Sequence, residues 1–349
     1  MRVEASFSRN NLDCLRLFFA SIVVFYHVYA LTNISAFSSF DAIFSPHFAV
    51  RGFFVISGLL IYRSYTRSSS ISSYFEKRIR RIYPAYFTVI LLAAILLPPL
   101  SATYPAQSYG LGFWKYLGAN LVFLNFLAPA LPGVFTSHIN PAVNGALWTL
   151  KIEVVFYLAV PLIHYLCVRY GVNRVIGLLF SLSLAWKFGF HALSAAHPSI
   201  FLYDKMQVEF PAQLNYFCAG ILLLVYFDSL KRHFVAISIV TAGLFLLDHF
   251  FTGEKLDVLW ISGFVFVLGF WKHLGNFSKY GDFSYGVYIL HWPILQTMIS
   301  FGLTAINPAL FLLMALSLIG LASFLMWKLV ESRFLASSSH YREAQQVRA

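Results

Sequence analysis

The sequence is dominated by long apolar runs that follow one another from end to end. Each run has about 17–22 mostly apolar residues, the length that an α-helix needs to cross the hydrocarbon core of a bilayer. The runs predict ten transmembrane helices, at residues 13–33, 46–62, 83–100, 148–168, 175–191, 208–227, 233–250, 256–271, 283–301 and 307–327. A chain patterned in this way is expected to fold in a membrane.

Composition agrees with this reading. Of 349 residues, 59% are hydrophobic and only 11% are charged, which is typical of a polytopic membrane protein and excludes an ordinary soluble domain. We predict an all-α membrane protein without a soluble domain. Residues 1–349 would form a single domain, with a core at about 12–330 and a tail at 331–349. The first run is expected to be a permanent span rather than a signal peptide, because it is long and contains Arg16 and His27.

The basic residues predict the orientation of the chain. With ten spans and the N-terminus inside, 18 of the 25 Lys and Arg residues lie in inner segments and 3 in outer segments. This asymmetry follows the positive-inside rule and predicts that both termini are cytoplasmic. Residues 113–127 are then a short re-entrant or interfacial helix, because counting them as a span reverses the pattern.

The net charge of +11 is dispersed among these segments, so we predict no nucleic-acid partner. The three cysteines show no metal-binding or disulfide spacing.

The most basic segment lies between the second and third predicted spans, with Pro84 expected to open the next helix. Arg78 and Arg81 are three residues apart and would share a helix face. Two guanidinium groups on one face suit a nucleotide or diphosphate anion. The alternative is an anchor on anionic lipid.

His27 and Glu153 are ionisable residues inside apolar runs. His27 lies about 15 residues into its helix, roughly 20 Å from the inner surface, and Glu153 lies at a similar depth in a helix of opposite direction. Intramembrane ionisable residues are costly and usually functional. The two side chains are therefore predicted to meet, with the carboxylate fixing the tautomer of the imidazole. The alternatives are a packing histidine and a Glu153–Lys151 pair.

Several motifs occur together and in order. They are "LDCLRLFFASIVVFYH" with Arg16 and His27, "FFVISGLLI", "RIRRIYP" with Arg78 and Arg81, "LWTLKIEVVFYLAVPLI" with Glu153, and "FSYGVYILHWPI". In these motifs, which extend from residue 12 to about 295, the chain resembles membrane-bound acyltransferase family 3, bacterial integral-membrane enzymes that modify glycans and other surface molecules. The family often has an acidic residue at the position of Arg51.

The resemblance implies transfer of an acyl group, usually acetyl from acetyl-coenzyme A, to a hydroxyl of a lipid-linked or exported polysaccharide. Arg16, Arg78 and Arg81 would bind the donor on the cytoplasmic side. His27 would be the general base, assisted by Glu153, or would itself carry the acyl group. Supporting roles are expected for Asp13, Ser57, Trp148 and His291. No permanently bound cofactor or metal is expected, and the location implied is the bacterial inner membrane.

Two other functions fit part of the pattern. A transporter of a glycolipid or acyl carrier would use the same buried charges as a relay, but the sequence shows no inverted repeat. A subunit of a polysaccharide-assembly complex, with the chemistry lost, is the third hypothesis, and the presence of Arg16, His27 and Glu153 argues against it. The acceptor would bind the aromatic outer segment 101–147, unless its rings form an interfacial belt. Those rings are Tyr104, Tyr109, Trp114, Tyr116 and Phe135.

Overall fold

The computed structural model describes residue 7 and residues 10–101, 109–272, 274–275 and 281–335. Within these ranges the regular structure is helical, without strands. The longer helices are α1 (Leu12–Thr32), α2 (Pro46–Thr66), α3 (Ile71–Leu96), α4 (Leu111–Leu121), α5 (Trp148–Tyr170), α6 (Val172–Ala196), α7 (Phe210–Val225), α8 (Phe234–Leu247), α9 (Asp257–Phe270), α10 (Ser284–Ser300) and α11 (Pro308–Met326).

Seven of the described helical stretches are long and apolar enough to cross a membrane, and a bent pair that includes α2 raises the number to eight. The all-α polytopic architecture predicted from the sequence is therefore confirmed. Each predicted span has a helix at its position, but α9 has only 14 residues, or about 21 Å at 1.5 Å per residue. The number ten and the cytoplasmic termini stay predictions, and most of the predicted tail, residues 336–349, lies outside the described residues.

The basic segment before Pro84 is helical, and the expectation that Pro84 opens a helix is wrong. Helix α3 begins at Ile71 and continues through Pro84 to Leu96. The hydroxyl of Ser70 accepts a hydrogen bond from the amide of Ser73 at 3.1 Å, which satisfies one of the unpaired donors of the first turn. This local cap starts the helix before the basic run, so Lys77, Arg78, Arg80 and Arg81 lie on a regular helical surface.

The ambiguous segment 113–127 forms a short helix, as predicted. Helix α4 has 11 residues, or about 16 Å at 1.5 Å per residue, which is too short to span. Its buried side includes Phe113, Tyr116 and Asn120. The amide of Asn120 donates to the carbonyls of Tyr116 and Ala128, at 2.8 and 2.9 Å, and thereby fixes the residues that follow the helix.

Contacts divide the chain into two compact units. Unit 1 consists of Met1–Leu15, Val50–Phe75 and Ile152–Gly275, and unit 2 consists of Arg16–Ala49, Glu76–Lys151 and Asn276–Ala349. Each unit is assembled from segments that are distant in the sequence. The single domain predicted from the sequence stays a prediction.

In unit 1, helices α2 and α7 approach each other at glycines. A Cβ atom on Gly58 would lie 2.0 Å from the carbonyl oxygen of Phe217, and one on Gly220 would lie 2.0 Å from that of Val55. Small residues allow this backbone-to-backbone packing, which is a principal source of helix association in membranes.

We expect Gly58→Ala to lower the free energy of unfolding by about 1–3 kcal/mol, the usual cost of overpacking. Gly177→Ala on α6 is the matched control, because no atom lies within 4 Å of its added Cβ. The control is expected to be neutral or to stabilise by about 0.5–1 kcal/mol. Thermal unfolding of the purified variants in detergent measures the difference, and equal melting temperatures would refute the close approach.

Candidate active site

His27 of α1 and His291 of α10 form a hydrogen-bonded pair in unit 2. Their Nδ1 and Nε2 atoms, respectively, are 2.9 Å apart. The two rings are nearly parallel, with an interplanar angle of 12° and centroids 5.1 Å apart. The ring of Trp292 meets His27 edge-on, with centroids 4.7 Å apart. His291 has no exposed surface, while His27 is partly buried.

The hydrogen bonds assign the tautomers of both rings. Nδ1 of His291 lies 3.1 Å from the carbonyl oxygen of Val287, and a carbonyl only accepts, so this nitrogen carries the proton. In a neutral imidazole the other nitrogen, Nε2, then accepts. It accepts the Nδ1–H of His27, and the lone pair of His27 is therefore on Nε2. Among the described residues Nε2 has no hydrogen-bond partner, so His27 presents a base.

A proline inside α10, Pro293, lies two residues after His291. Pro293 has no N–H, so the carbonyl of Ile289, four residues earlier, loses its helical partner. The side-chain amide of Asn144 donates to that carbonyl at 2.8 Å. The helix nevertheless continues through Pro293 from Ser284 to Ser300, so the proline removes one hydrogen bond without ending the helix.

Side chains of α10 also hold the segment from Asn140 to Asn144 by hydrogen bonds. The indole N–H of Trp292 donates to the carbonyl of Ala142 at 3.0 Å. The side-chain amide of Gln296 donates to the carbonyls of Asn140 and Ala142, at 2.6 and 3.0 Å. These bonds hold the indole of Trp292, which packs on His27, and thereby restrict the rotation of the His27 ring.

Gly145 is the residue that lets this segment approach Trp292. A Cβ atom at this position would lie 2.4 Å from the indole ring, closer than side chains are found. A larger residue here would push Trp292 away from His27. The asparagine–glycine pair at 144–145 thus contributes a hydrogen bond and a close contact to the histidine site.

The second feature of unit 2 is a buried group of opposite charges. Asp282 binds Arg16 through its Oδ2 atom at 2.5 Å and also accepts from Arg81. Arg81 contacts Glu331 at 3.2 Å. The side chains of both acids are 1% exposed. Two arginines and two carboxylates balance formally, which is the usual condition for charges away from water.

The other oxygen of Asp282 fixes its position. Its Oδ1 accepts from the amide of Ser284 at 3.1 Å and from the hydroxyl of the same residue. Asp282 therefore joins the start of α10 to Arg16 on α1 and Arg81 on α3. Arg16 and His27 lie on α1, and Asp282 adjoins α10, which carries His291. The same helices therefore position both the arginine group and the histidine pair.

Glu153 lies on α5 in unit 1 and is partly buried. Its carboxylate accepts a hydrogen bond from the hydroxyl of Tyr157, one turn later, at 2.6 Å. The carbonyl of Tyr157 is freed by Pro161 and accepts from the hydroxyl of Tyr74 at 3.1 Å. The role of Glu153 in the reaction stays a prediction.

The structure thus brings together some of the predicted site residues. Arg16 and Arg81 meet on Asp282, and His27 meets His291, which the sequence suggested only as support. In unit 2 the imidazole of His27 is oriented by His291, the task that the sequence analysis gave to Glu153. Arg78 lies one turn before Arg81 on α3 and is partly buried. The roles of Asp13, Ser57 and Trp148 stay predictions.

Asp282 and Glu331 are the functional candidates that the sequence analysis missed. Asp282 precedes the late motif that contains His291, and a carboxylate beside an apolar run is a signal that a search for counterions would have used. Of the aromatic residues considered for the acceptor, Tyr104 lies outside the described residues. Tyr116 and Phe135 are buried, whereas Tyr109 and Trp114 are exposed.

We expect Asp282→Asn to destabilise the protein by about 3–5 kcal/mol, because it leaves two arginines without their shared buried charge. Glu76→Gln is the control, since Glu76 pairs with Arg80 at 2.7 Å with both side chains about half exposed. An exposed pair contributes about 0–1 kcal/mol. Thermal unfolding in detergent compares the two, and an unchanged melting temperature of Asp282→Asn would contradict the buried network.

Comparisons with known proteins bear on what this arrangement does. A family model described as an acyltransferase domain matches residues 9–328. The chain is 29% identical over 341 residues to an O-acetyl transferase of Shigella phage Sf6, covering 95% of this chain and 97% of the relative. It is 28% identical over 326 residues to nodulation protein 10 of Rhizobium leguminosarum bv. viciae, covering 86% of each chain.

A third relative is longer. The O-acetyltransferase OatA of Staphylococcus aureus is 24% identical over 364 residues, which cover 92% of this chain and 56% of that protein. No solved structure matches the chain. The family model covers nearly all of the chain, including the segments that carry His27, His291, Arg16, Arg81 and Asp282. The chain therefore belongs to acyltransferase family 3 and is a membrane-embedded acyltransferase.

Proposed function

We propose that the protein is a membrane O-acyltransferase that moves an acetyl group from acetyl-coenzyme A to a sugar hydroxyl of a lipid-linked or exported polysaccharide, in the bacterial inner membrane. The observation that carries the proposal is the lone pair on Nε2 of His27. It is held there by the hydrogen bond from Nδ1 to His291. A fixed imidazole with one available nitrogen is the group most often used to remove a hydroxyl proton.

In the proposed reaction Nε2 of His27 takes the proton of the acceptor hydroxyl as its oxygen attacks the thioester carbonyl. The new C–O bond forms, the C–S bond breaks, and the coenzyme A thiolate takes the proton from the imidazolium. While His27 is protonated, its Nδ1–H still donates to His291. The pair therefore keeps its geometry through the proton transfer.

The donor phosphates are assigned to Arg16, Arg78 and Arg81. Each guanidinium has five N–H donors in a planar fork, so it can hold a carboxylate and still donate to a phosphate oxygen. Asp282 and Glu331 would keep Arg16 and Arg81 in place when the donor is absent. The pantetheine arm of coenzyme A is long enough to extend a distance on the order of 20 Å, which is the depth estimated for His27.

The nature of the acceptor is supported by the relatives and by the exposed aromatic rings. Two relatives are named as O-acetyl transferases, which favours acetyl as the acyl group and a hydroxyl as the acceptor. Tyr109 and Trp114 present aromatic faces, and such faces suit sugar rings. Polysaccharide-assembly proteins are expected as partners, and membrane lipid as the surroundings.

The test uses membranes that contain the wild-type chain or His27→Ala, with radiolabelled acetyl-coenzyme A and a crude lipid-linked glycan fraction. We expect alkali-labile label in the glycan with the wild type, and a loss of about 10²–10⁴-fold with the variant, the usual contribution of a general base. Equal labelling would remove His27 from the chemistry. A transporter would leave acetyl-coenzyme A unconsumed. If the acceptor is omitted and label appears on the wild-type protein but not on His27→Ala, the acyl group is carried by His27.

His291 is expected to act as a positioning residue. His291→Leu leaves the Nδ1–H of His27 without its acceptor, and we expect kcat to fall about 10–100-fold, as for other residues that orient a functional imidazole. His291→Gln restores a carbonyl acceptor and is expected to lose less. The measurement is kcat with KM for acetyl-coenzyme A, at equal thermal stability. Equal losses in both variants would contradict the orienting role.

Glu153 is tested in the same assay. Glu153→Gln keeps the size of the side chain and its capacity to accept from Tyr157 but removes the charge. If Glu153 favours the protonated imidazole, as we propose, the variant lowers kcat with little change in KM. Tyr157→Phe is the control for the hydrogen bond alone, and full activity in Glu153→Gln would exclude a catalytic charge.

A further inference from the structure

Unit 1 contains a second group of charged residues, which the proposed reaction does not use. Arg51 on α2 binds Asp257 and Glu254 through one nitrogen, at 2.7 Å in each case. Lys187 on α6 binds Asp257 at 2.9 Å. The hydroxyl of Tyr216 on α7 donates to Asp257 at 2.5 Å and accepts from Lys187 at 2.8 Å. Asp257 begins α9 and is the centre of the group.

Burial divides this group unequally. The side chains of Arg51, Lys187 and Asp257 are 15%, 14% and 2% exposed, whereas that of Glu254 is 63% exposed. The enclosed residues thus comprise two cations and one carboxylate, with one positive charge in excess. A buried charge needs a counterion, and Glu254 supplies it from the solvent side.

The backbone brings Glu254 to Arg51 at some cost. Gly253 and Glu254 both have positive φ values, 61° and 65°, and the left-handed conformation is unfavourable for a residue with a Cβ atom. The base of this turn is fixed by buried Asp248, which accepts from the amide of Leu256 and the indole of Trp260, both at 2.9 Å. Glu254 and its two neighbours at the tip of the turn are exposed.

A purely structural ion group would be expected to use an enclosed carboxylate, as Asp257 does. An exposed carboxylate on an ion pair contributes little stability, yet here it occupies a strained backbone position. If Glu254 moved away, its backbone could leave the left-handed conformation, and Arg51 could bind another carboxylate in the same place. The carboxylate of Glu254 thus occupies the position on Arg51 that the carboxylate of a ligand would take.

We propose that Arg51 and Lys187 form a binding site for the carboxylate of an acidic sugar, and that Glu254 occupies this site until the ligand displaces it. The identification of the acidic sugar as the acyl acceptor rests on the proposed function, but the binding itself does not. Arg51 would bind the carboxylate directly, with Tyr216 and Asp257 holding Lys187 beside it. Glu254 would act as a competitor that is part of the chain.

The experiment measures binding to purified protein in detergent, without acetyl-coenzyme A. The probes are 4-methylumbelliferyl β-D-glucuronide and the corresponding glucoside, which differ in the carboxylate. We expect Glu254→Gln to bind the glucuronide at least threefold more tightly than the wild type, because the internal competitor has lost its charge. The glucoside should bind weakly and equally to both. Asp204→Asn, another exposed acid of unit 1, is the control for net charge and should match the wild type.

Several outcomes would overturn the proposal. They are equal glucuronide affinity in Glu254→Gln and Asp204→Asn, equal binding of glucoside and glucuronide, and no binding of either probe. If inorganic phosphate displaced the glucuronide more readily than acetate does, the site would bind phosphate in preference to a carboxylate, and the proposal would be wrong. Arg51→Gln should lose glucuronide binding at least tenfold. Acetyl transfer is assayed separately, so an inactive protein that binds the glucuronide refutes the proposed function and not this site.

Discussion

The hydrogen bond between His27 and His291 is the interaction on which the functional account depends. A neutral histidine ring has two tautomers, and only one of them places the lone pair on Nε2. The carbonyl of Val287 makes that choice, because it obliges His291 to donate from Nδ1 and to accept at Nε2. A backbone carbonyl of α10 therefore determines which nitrogen of His27, on α1, is the base. The indole of Trp292 and the residues that hold it keep the ring in this orientation.

The same requirement, that polar groups inside apolar helices have partners, explains the other features of the fold. Pro161 and Pro293 each free a carbonyl, and the hydroxyl of Tyr74 and the amide of Asn144 satisfy them. Where water is absent, an unsatisfied backbone group costs several kcal/mol. Each proline thus creates a specific contact between distant segments, and the contact made by Asn144 is part of the histidine site. In the same way, the buried carboxylate of Asp282 provides a partner for the guanidinium groups of Arg16 and Arg81.

The helices could be predicted from the sequence because their apolar composition is a local property. The extent of α3 could not, because the apolar run alone does not show that the cap at Ser70 starts the helix before the basic residues. Depth along a helix predicted that His27 lies inside the membrane, but depth leaves open which neighbour it meets. Glu153 was the candidate by that criterion, whereas His291, expected only to have a supporting role, is the residue that packing between distant segments brings to 2.9 Å. Asp282 was missed for the same reason, since it lies 266 residues from Arg16.

The tautomer of His27 can be measured by NMR. The protein is prepared with ¹⁵N-labelled histidine, and the ring nitrogens of His27 are identified by their loss in His27→Ala and observed by solid-state NMR in lipid bilayers. We predict a protonated Nδ1 and an unprotonated Nε2 at a pH where the ring is neutral, with the Nδ1 proton close to Nε2 of His291. A neutral ring protonated on Nε2 would contradict the account, because His27 would then present no lone pair where the reaction needs one.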